Sequence, residues 1–178
     1  VGRHFQLKNP ANIILALRDL PDVCLTLVGD GPLQGDLQAL VAQNNLSDRV
    51  IFRPAIPNDE LCRLLPEQDI FVIHSEHWEI SKSVLEALLT GLPVVLNRRL
   101  GGDAPELQED FITFVENTPQ GYRIALQELI ENHVLRETVG RQTYKNAQAN
   151  WSPGKTETKY VEIYQRLMVR DDMVDGQN

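Results

Sequence analysis

Five short apolar segments recur along the chain, and segments with the periodicity of a helix lie between most of them and after the last. The apolar segments cover residues 23–28, 50–52, 70–73, 94–96 and 111–115. Their apolar residues are largely consecutive rather than alternate, which is typical of strands buried on both faces. Such strands form parallel sheets covered by helices and connected in right-handed βαβ units. The pattern therefore predicts an α/β fold, with the ligand crevice beyond the carboxyl ends of the strands.

After residue 118 the pattern becomes helical throughout. Helices are predicted over residues 122–130 and 134–149, and a third follows Pro153. Residues 170–178 are mostly polar and acidic, and we expect them to form a disordered tail. Residues 1–169 then form one domain, in which a parallel sheet flanked by helices is followed by C-terminal helices.

The balance of charge excludes one broad class of partner. The 178 residues include 17 lysines and arginines against 25 aspartates and glutamates. Nucleic-acid binding needs clustered basic residues, so no nucleic-acid partner is predicted. No apolar run approaches the roughly 20 residues of a membrane-spanning helix. Cys24 and Cys62 lack the spacing of a metal or redox motif, and we expect both to be reduced and buried, as in a cytosolic protein.

Two carboxylates flank the turn that follows the third predicted strand. Ser81, Lys82 and Ser83 come just before a segment with apolar residues at helical spacing, so they are predicted to lie at a helix N-terminus. Backbone N–H groups at this position lack partners within the helix and bind anions. Glu79 and Glu86 can accept hydrogen bonds from hydroxyl groups. A site for phosphate and sugar hydroxyls together indicates a nucleotide sugar.

Each of these carboxylates has an alternative role. The sequence Ser83-Val84-Leu85-Glu86 matches a capping box, in which Ser83 is the N-cap and Glu86 reaches back to its backbone N–H. Taken alone, this motif favours a capping role for Glu86. The alternative for Glu79 is a solvated position in a surface loop.

Basic and glycine residues mark the other predicted loops at this edge. Arg3 and Lys8 can point at the same crevice, where they would suit a diphosphate, although two solvated surface cations are the alternative. The sequence Gly29-Asp30-Gly31-Pro32 is predicted to be a structural turn between a strand and a helix. Gly101 and Gly102 follow the fourth strand, and there we favour close approach of the backbone to a ligand over a plain turn.

Two other kinds of site are not supported by the sequence. His74 and His77 flank Glu76, but a third and a fourth metal ligand at recognisable spacing are missing, so no metal is predicted. No GxSxG nucleophile motif is present, which argues against a Ser/His/Asp hydrolase.

Five motifs occur in order along the chain and together carry a resemblance to a known family. They are Gly2-Arg3 with Lys8-Asn9, Val28-Gly29-Asp30-Gly31-Pro32, Asp69-Ile70-Phe71-Val72, Glu86-Ala87-Leu88 with Gly91-Leu92-Pro93-Val94-Val95, and Gly101-Gly102 with Glu106. In this order and spacing they resemble the C-terminal half of the GT-B fold in the retaining glycosyltransferases of family four. The resemblance implies a Rossmann-like domain that binds a nucleotide-sugar donor.

The resemblance also implies a role for each candidate residue. Glu79, as the catalytic residue, would contact the hydroxyls of the transferred sugar, and Glu86 would contact the ribose hydroxyls. The other donor-binding residues would be Arg3 and Lys8 at the diphosphate, Ile56 and Asn58 near the base, Ser81, Lys82 and Ser83 at the phosphates, and Gly101 and Gly102 near the sugar. No cofactor and no metal are implied.

The chain departs from the family pattern at two places. The family separates its two glutamates by seven residues, whereas six separate Glu79 from Glu86, and Trp78 precedes the first. Either Glu79 still reaches the sugar, or Glu76 has taken that part, or the donor pocket is altered. An extra residue before Glu106 leaves the equivalence of that glutamate open.

The predicted function is transfer of a hexose from a nucleotide sugar, with retention, in polysaccharide or glycoconjugate synthesis. The acceptor, a sugar or glycolipid, would bind an N-terminal half that this chain lacks, so the isolated domain is expected to be inactive. We expect a cytoplasmic protein that could reach the membrane through that half. A nucleotide-sugar epimerase of the same fold and a non-catalytic nucleotide-sugar-binding module are the alternatives.

Overall fold

The computed structural model describes residues 1–77, 80–99, 102, 107 and 111–175, and it alternates strands with helices. The strands are β1 (Leu25–Val28), β2 (Val50–Arg53), β3 (Phe71–Ile73), β4 (Val94–Asn97) and β5 (Ile112–Val115). The helices are α1 (Ala11–Ala16), α2 (Gln34–Gln43), α3 (Asn58–Leu64), α4 (Lys82–Thr90), α5 (Pro119–Glu131), α6 (His133–Trp151) and α7 (Pro153–Asp175). The predicted α/β fold with C-terminal helices is confirmed.

The strand pairs in the described part of the chain are parallel, as predicted, but these strands form two sheets. β1 pairs with β2 in one sheet, and the other has the order β3-β4-β5. A cavity of about 480 Å³ is lined by residues of both sheets, among them residues of β1 and β3. The register in the second sheet places Ile73 beside Leu96. The residues that follow β3 therefore meet the end of β4 at the carboxyl edge.

Helices cover both sheets because their apolar faces have no other place to be buried. α1 packs against α5, which also contacts β4 and β5, and α4 packs against α6 and contacts β4. The buried apolar residues form two clusters, a first that includes residues of α1, β1, β2 and α5 and a second that includes residues of α4, β3, β4 and β5. Ile14 and Tyr122 are completely buried in the first cluster, and Leu88 and Val94 in the second. This rigid layer fixes the strand ends from which the candidate site is built.

One expectation about the periphery differs from the structure. Cys24 and Cys62 are free, but both are exposed rather than buried. Cys24 precedes the first residue of β1, and Cys62 lies on the outer face of α3, so neither reaches the core. α7 continues to Asp175, and the predicted domain end at residue 169 stays a prediction. Within the described residues, no helix is both long and apolar enough to cross a bilayer.

Candidate functional site

The N-terminal segment lies along the carboxyl end of β1. Gly2 N donates to Val28 O at 2.9 Å, and His4 N donates to Asp30 O at 2.7 Å. The segment then turns back, with Lys8 N donating to Phe5 O at 2.8 Å. This path brings the two predicted diphosphate ligands, Arg3 and Lys8, into one loop at the carboxyl edge, where they line a cavity of about 30 Å³ together with Gly2 and His74.

The N-terminus of α4 lies against the same segment. Ser83 Oγ donates to Val1 O at 3.3 Å and lies 3.2 Å from Ser81 Oγ. The predicted position of Ser81, Lys82 and Ser83 at a helix N-terminus is confirmed, but the predicted capping box is wrong. α4 begins at Lys82 with Ser81 as its N-cap, two residues earlier than a Ser83 cap requires. Glu86 therefore lies in the second turn and cannot reach the N-cap N–H.

Glu86 is a largely buried carboxylate with one unsatisfied oxygen. Its side chain is 13% exposed, and its Oε1 is buried without a hydrogen-bond donor in the described part of the chain. The Nζ of Lys82 forms an ion pair with this oxygen at 3.6 Å, which is too long for a hydrogen bond. An unpaired buried acceptor costs about 1–3 kcal/mol. A ligand hydroxyl that donated to Oε1 would remove this cost, so the geometry favours binding over capping.

A second carboxylate, Glu76, is held by two buried side chains. Its Oε1 lies 3.1 Å from His74 Nε2 and accepts from Asn97 Nδ2 at 2.9 Å. His74 Nδ1 accepts from Asn9 N at 3.0 Å, so in the neutral ring Nε2 carries the proton and donates to Glu76. Asn97 Oδ1 accepts from Ser75 N at 2.7 Å. These hydrogen bonds join the ends of β3 and β4 to the N-terminal loop.

The sequence analysis missed the role of Asn97. One signal could have revealed this role. Asn97 is a polar residue at the end of the apolar strand β4, and the neighbouring strand β3 is followed by another polar residue, His74. Parallel pairing places such residues together at the carboxyl edge. Nothing in the local sequence around Asn97 indicates this partner.

Burial lowers the pKa of His74 below its usual value, and the neighbouring Glu76 carboxylate partly opposes the shift. An unfolded histidine has a pKa near 6.5, so the unfolded chain binds more protons than the folded one as the pH falls below about 6.5. His74 therefore contributes stability that is present above this pH and is lost as the pH falls through the folded pKa.

We expect His74→Gln to reduce the loss of stability on acidification. Wild-type stability should fall by up to about 1.4 kcal/mol per pH unit more steeply than that of the variant, in the window below pH 6.5. Urea unfolding at pH 7.5, 6.5 and 5.5 measures the difference. His133→Gln, at a side chain 66% exposed, is the control. Equal slopes in wild type and His74→Gln would contradict the prediction.

The remaining candidates have different surroundings. Ile56 is half-buried against the second apolar cluster. Asn58 is exposed at the start of α3, and its amide donates to the sulfur of the cysteine four residues on. Gly102 has a φ of +95° and open space where a Cβ would project. Glu79 and Gly101 lie outside the described residues. The role of each of these residues in binding stays a prediction.

Metal ligation has no support in the described part of the chain. No group of three or more histidine, cysteine, aspartate or glutamate side chains is arranged there to hold an ion. The expectation of metal-independent chemistry stays a prediction.

Comparison with known proteins gives consistent results. Residues 1–146 match the family model described as glycosyl transferases group 1. A 2-deoxystreptamine glucosyltransferase of Streptomyces kanamyceticus is 36% identical over 98 residues, covering 53% of this chain and 25% of that protein. An uncharacterized glycosyltransferase of Methanocaldococcus jannaschii is 29% identical over 178 residues, covering 94% and 44%. The chain thus spans between a quarter and about half the length of these relatives.

Solved structures have the same fold. Sucrose-phosphate synthase from Thermosynechococcus elongatus superposes with a TM-score of 0.84 at 22% identity, over 96% of this chain and 45% of that one. Anabaena Alr3699/HepE in complex with UDP gives a TM-score of 0.83 at 21% identity, over 93% and 47%. These likenesses confirm the Rossmann-like architecture of the C-terminal half of a GT-B fold. Together with the match over most of its length, they show that the chain belongs to the glycosyl transferases group 1 family.

Proposed function

We propose that the chain is the donor-binding part of a retaining glycosyltransferase that transfers a hexose from a nucleotide sugar. The observation that carries the proposal is the buried, unsatisfied Oε1 of Glu86 beside the N-terminus of α4. A ribose hydroxyl is a neutral donor of the kind that this oxygen lacks. The complex of HepE with UDP supports a nucleoside diphosphate as the ligand.

The cations and the helix N-terminus would bind the diphosphate. Arg3 offers a planar guanidinium with several hydrogen-bond donors, and Lys8 offers a mobile positive charge. Ser83 and its neighbours offer backbone N–H groups. In the transfer step, the bond between the anomeric carbon and the diphosphate oxygen breaks. A bond to the acceptor oxygen forms on the same face, and the proton of the acceptor hydroxyl passes to the departing diphosphate oxygen. Negative charge develops on the diphosphate as its bond to the sugar breaks, and these groups would stabilise that charge without a metal or other cofactor.

The whole reaction needs more than this chain. We propose that the acceptor, a sugar or a glycolipid, binds an N-terminal half and that transfer takes place between the halves, where water is excluded. Residues 1–178 alone would then bind the donor without transferring the sugar. We place the complete enzyme in polysaccharide or glycoconjugate synthesis, in the cytoplasm or at the membrane surface through its other half.

We expect Glu86→Gln to weaken nucleotide binding without loss of stability. Losing a charged acceptor for a ribose hydroxyl should raise the dissociation constant about 10-fold. The lost ion pair with the exposed Lys82 contributes little, and removal of the buried charge that lacks a hydrogen bond should keep the free energy of unfolding at or above that of wild type. Isothermal titration with UDP and GDP measures binding and identifies the base.

The matched control is Glu162→Gln on the exposed face of α7. Arg3→Ala and Lys8→Ala should also weaken binding, because each removes a charge from the diphosphate site. If wild type is folded but binds neither nucleotide, the donor-site proposal fails for this chain. A product formed from the sugar nucleotide without an acceptor would indicate the epimerase instead.

A further inference from the structure

The Glu76 carboxylate has one oxygen engaged and one available. Oε1 receives the hydrogen bonds of His74 and Asn97, whereas no described residue donates to Oε2. The side chain is 27% exposed, so the carboxylate is partly accessible to solvent at the carboxyl edge. The carboxylate thus presents a hydrogen-bond acceptor to the crevice.

The two residues that hold Glu76 are themselves fixed. His74 is 6% exposed and Asn97 is completely buried. The backbone N–H of Asn9 occupies the other nitrogen of His74, and the N–H of Ser75 occupies the amide oxygen of Asn97. A carboxylate held from two sides by buried donors is preorganised, so binding through it requires little reordering.

The position of Glu76 relative to the cationic loop indicates which part of a ligand it would meet. The backbone N–H of Glu76 donates to Leu7 O at 3.0 Å, and Leu7 is adjacent to Lys8. In a nucleotide sugar, the sugar is bonded directly to the diphosphate. An acceptor next to the diphosphate-binding loop therefore lies within reach of the sugar, whose hydroxyls are hydrogen-bond donors.

We propose that Glu76 is a specificity-determining residue whose Oε2 accepts a hydrogen bond from a hydroxyl of the donor sugar, and that His74 and Asn97 are positioning residues for it. This inference rests on the proposed function. It assigns the sugar contact to a residue three positions before Glu79. In this sequence six residues separate Glu79 from Glu86, one fewer than in the family pattern, so Glu79 is displaced from the position that contacts the sugar in that pattern.

The test separates sugar binding from nucleotide binding. The sugar contribution is defined as the dissociation constant of a nucleoside diphosphate divided by that of its hexose derivative. The probes are UDP with UDP-glucose and GDP with GDP-mannose, titrated into residues 1–178. Glu76→Gln places an amide N–H₂ where an acceptor is needed. It should lower the sugar contribution about 10-fold and change the affinity for the diphosphate less than about 2-fold.

The positioning roles have their own readout. His74→Gln keeps a donor toward Glu76, so it should retain the sugar contribution, whereas His74→Leu and Asn97→Leu should lower it toward the value for Glu76→Gln. Either change at His74 removes the acceptor for Asn9 N and can shift diphosphate affinity, but the ratio isolates the effect on the sugar. Circular dichroism and thermal melts select variants that remain folded. Glu67→Gln, at an exposed residue before β3, is the matched control.

Several results would overturn the inference and leave the proposed function standing. The first is a Glu76→Gln variant whose sugar contribution is unchanged. The second is a variant that binds the diphosphate and the sugar nucleotide more weakly by the same factor. The third is a wild-type sugar contribution of one. A loss caused by Glu79→Gln alone would assign the contact to Glu79 instead. The absence of nucleotide binding in folded wild type would overturn both proposals.

Discussion

Replacing Gly29 with alanine is expected to destabilise the protein by about 2–4 kcal/mol, because backbone strain and a steric collision add together. Gly29 has a φ of +127°, and a Cβ there would collide with the carbonyl oxygen of Gly2. The strand end cannot move aside, since Gly29 N donates to Arg53 O at 3.0 Å on one side and Gly2 N donates to Val28 O at 2.9 Å on the other. Urea unfolding measures the loss.

The same substitution should weaken nucleotide binding. Displacement of Gly2 would move Arg3 and Lys8, which the N-terminal segment carries to the carboxyl edge. Gly35→Ala is the matched control, because it lies in α2 with open space where its Cβ would project and should stabilise the helix by about 0.5–1 kcal/mol. Similar destabilisation by both substitutions would refute the role assigned to the close approach of Gly2 to Gly29.

The elements of the fold could be predicted from the sequence because they follow from local patterns. Runs of consecutive apolar residues identified all five described strands, with starts and ends within two residues of those observed. Apolar residues at helical spacing identified the helices between and after them. Both signals depend on burial along one element, which is visible in a window of about ten residues.

The first residue of α4 could not be predicted from such local patterns. Ser81 and Ser83 are both plausible N-caps, and the glutamate three residues after Ser83 favours the wrong one. The contact of Ser83 Oγ with Val1 O, 82 residues away, is part of the environment that the local motif does not contain. The prediction that Cys24 and Cys62 are buried was wrong for a related reason, because the exposure of a side chain depends on how the helices and strands pack together.

Contacts between distant segments account for the rest of the candidate site. The sequence identified the Gly29 turn as structural but gave no sign that Gly2 lies against it. It likewise named Glu76 as an alternative to Glu79 without showing that His74 and Asn97 hold it. Such pairs are set by sheet register and by the path of the N-terminal segment, neither of which has a local sequence signature.

The second large effect is expected for Asn97→Asp, which would place a carboxylate in a completely buried position. Asn97 Nδ2 donates to Glu76 Oε1 at 2.9 Å, to Arg98 O at 3.2 Å and to Ser75 O at 3.4 Å. The substitution would turn the donor toward these three acceptors into another acceptor and place a second negative charge beside Glu76. Burying an unpaired charge next to a like charge should cost about 3–5 kcal/mol near neutral pH.

This deficit should also depend on pH, with a sign that distinguishes charge burial from a packing defect. Burial and the Glu76 carboxylate would raise the pKa of the introduced carboxyl above its unfolded value of about 3.9. The variant should therefore be closest to wild type near pH 4–5, where the protonated group can donate to Glu76, and should lose stability as the pH rises. Urea unfolding of both proteins at pH 5 and pH 8 measures the change.

Asn58→Asp, at an exposed helix start, should stay within about 0.5 kcal/mol of wild type at both pH values. A deficit for Asn97→Asp that is the same at pH 5 and pH 8 would indicate that altered packing, rather than a buried charge facing Glu76, causes the loss.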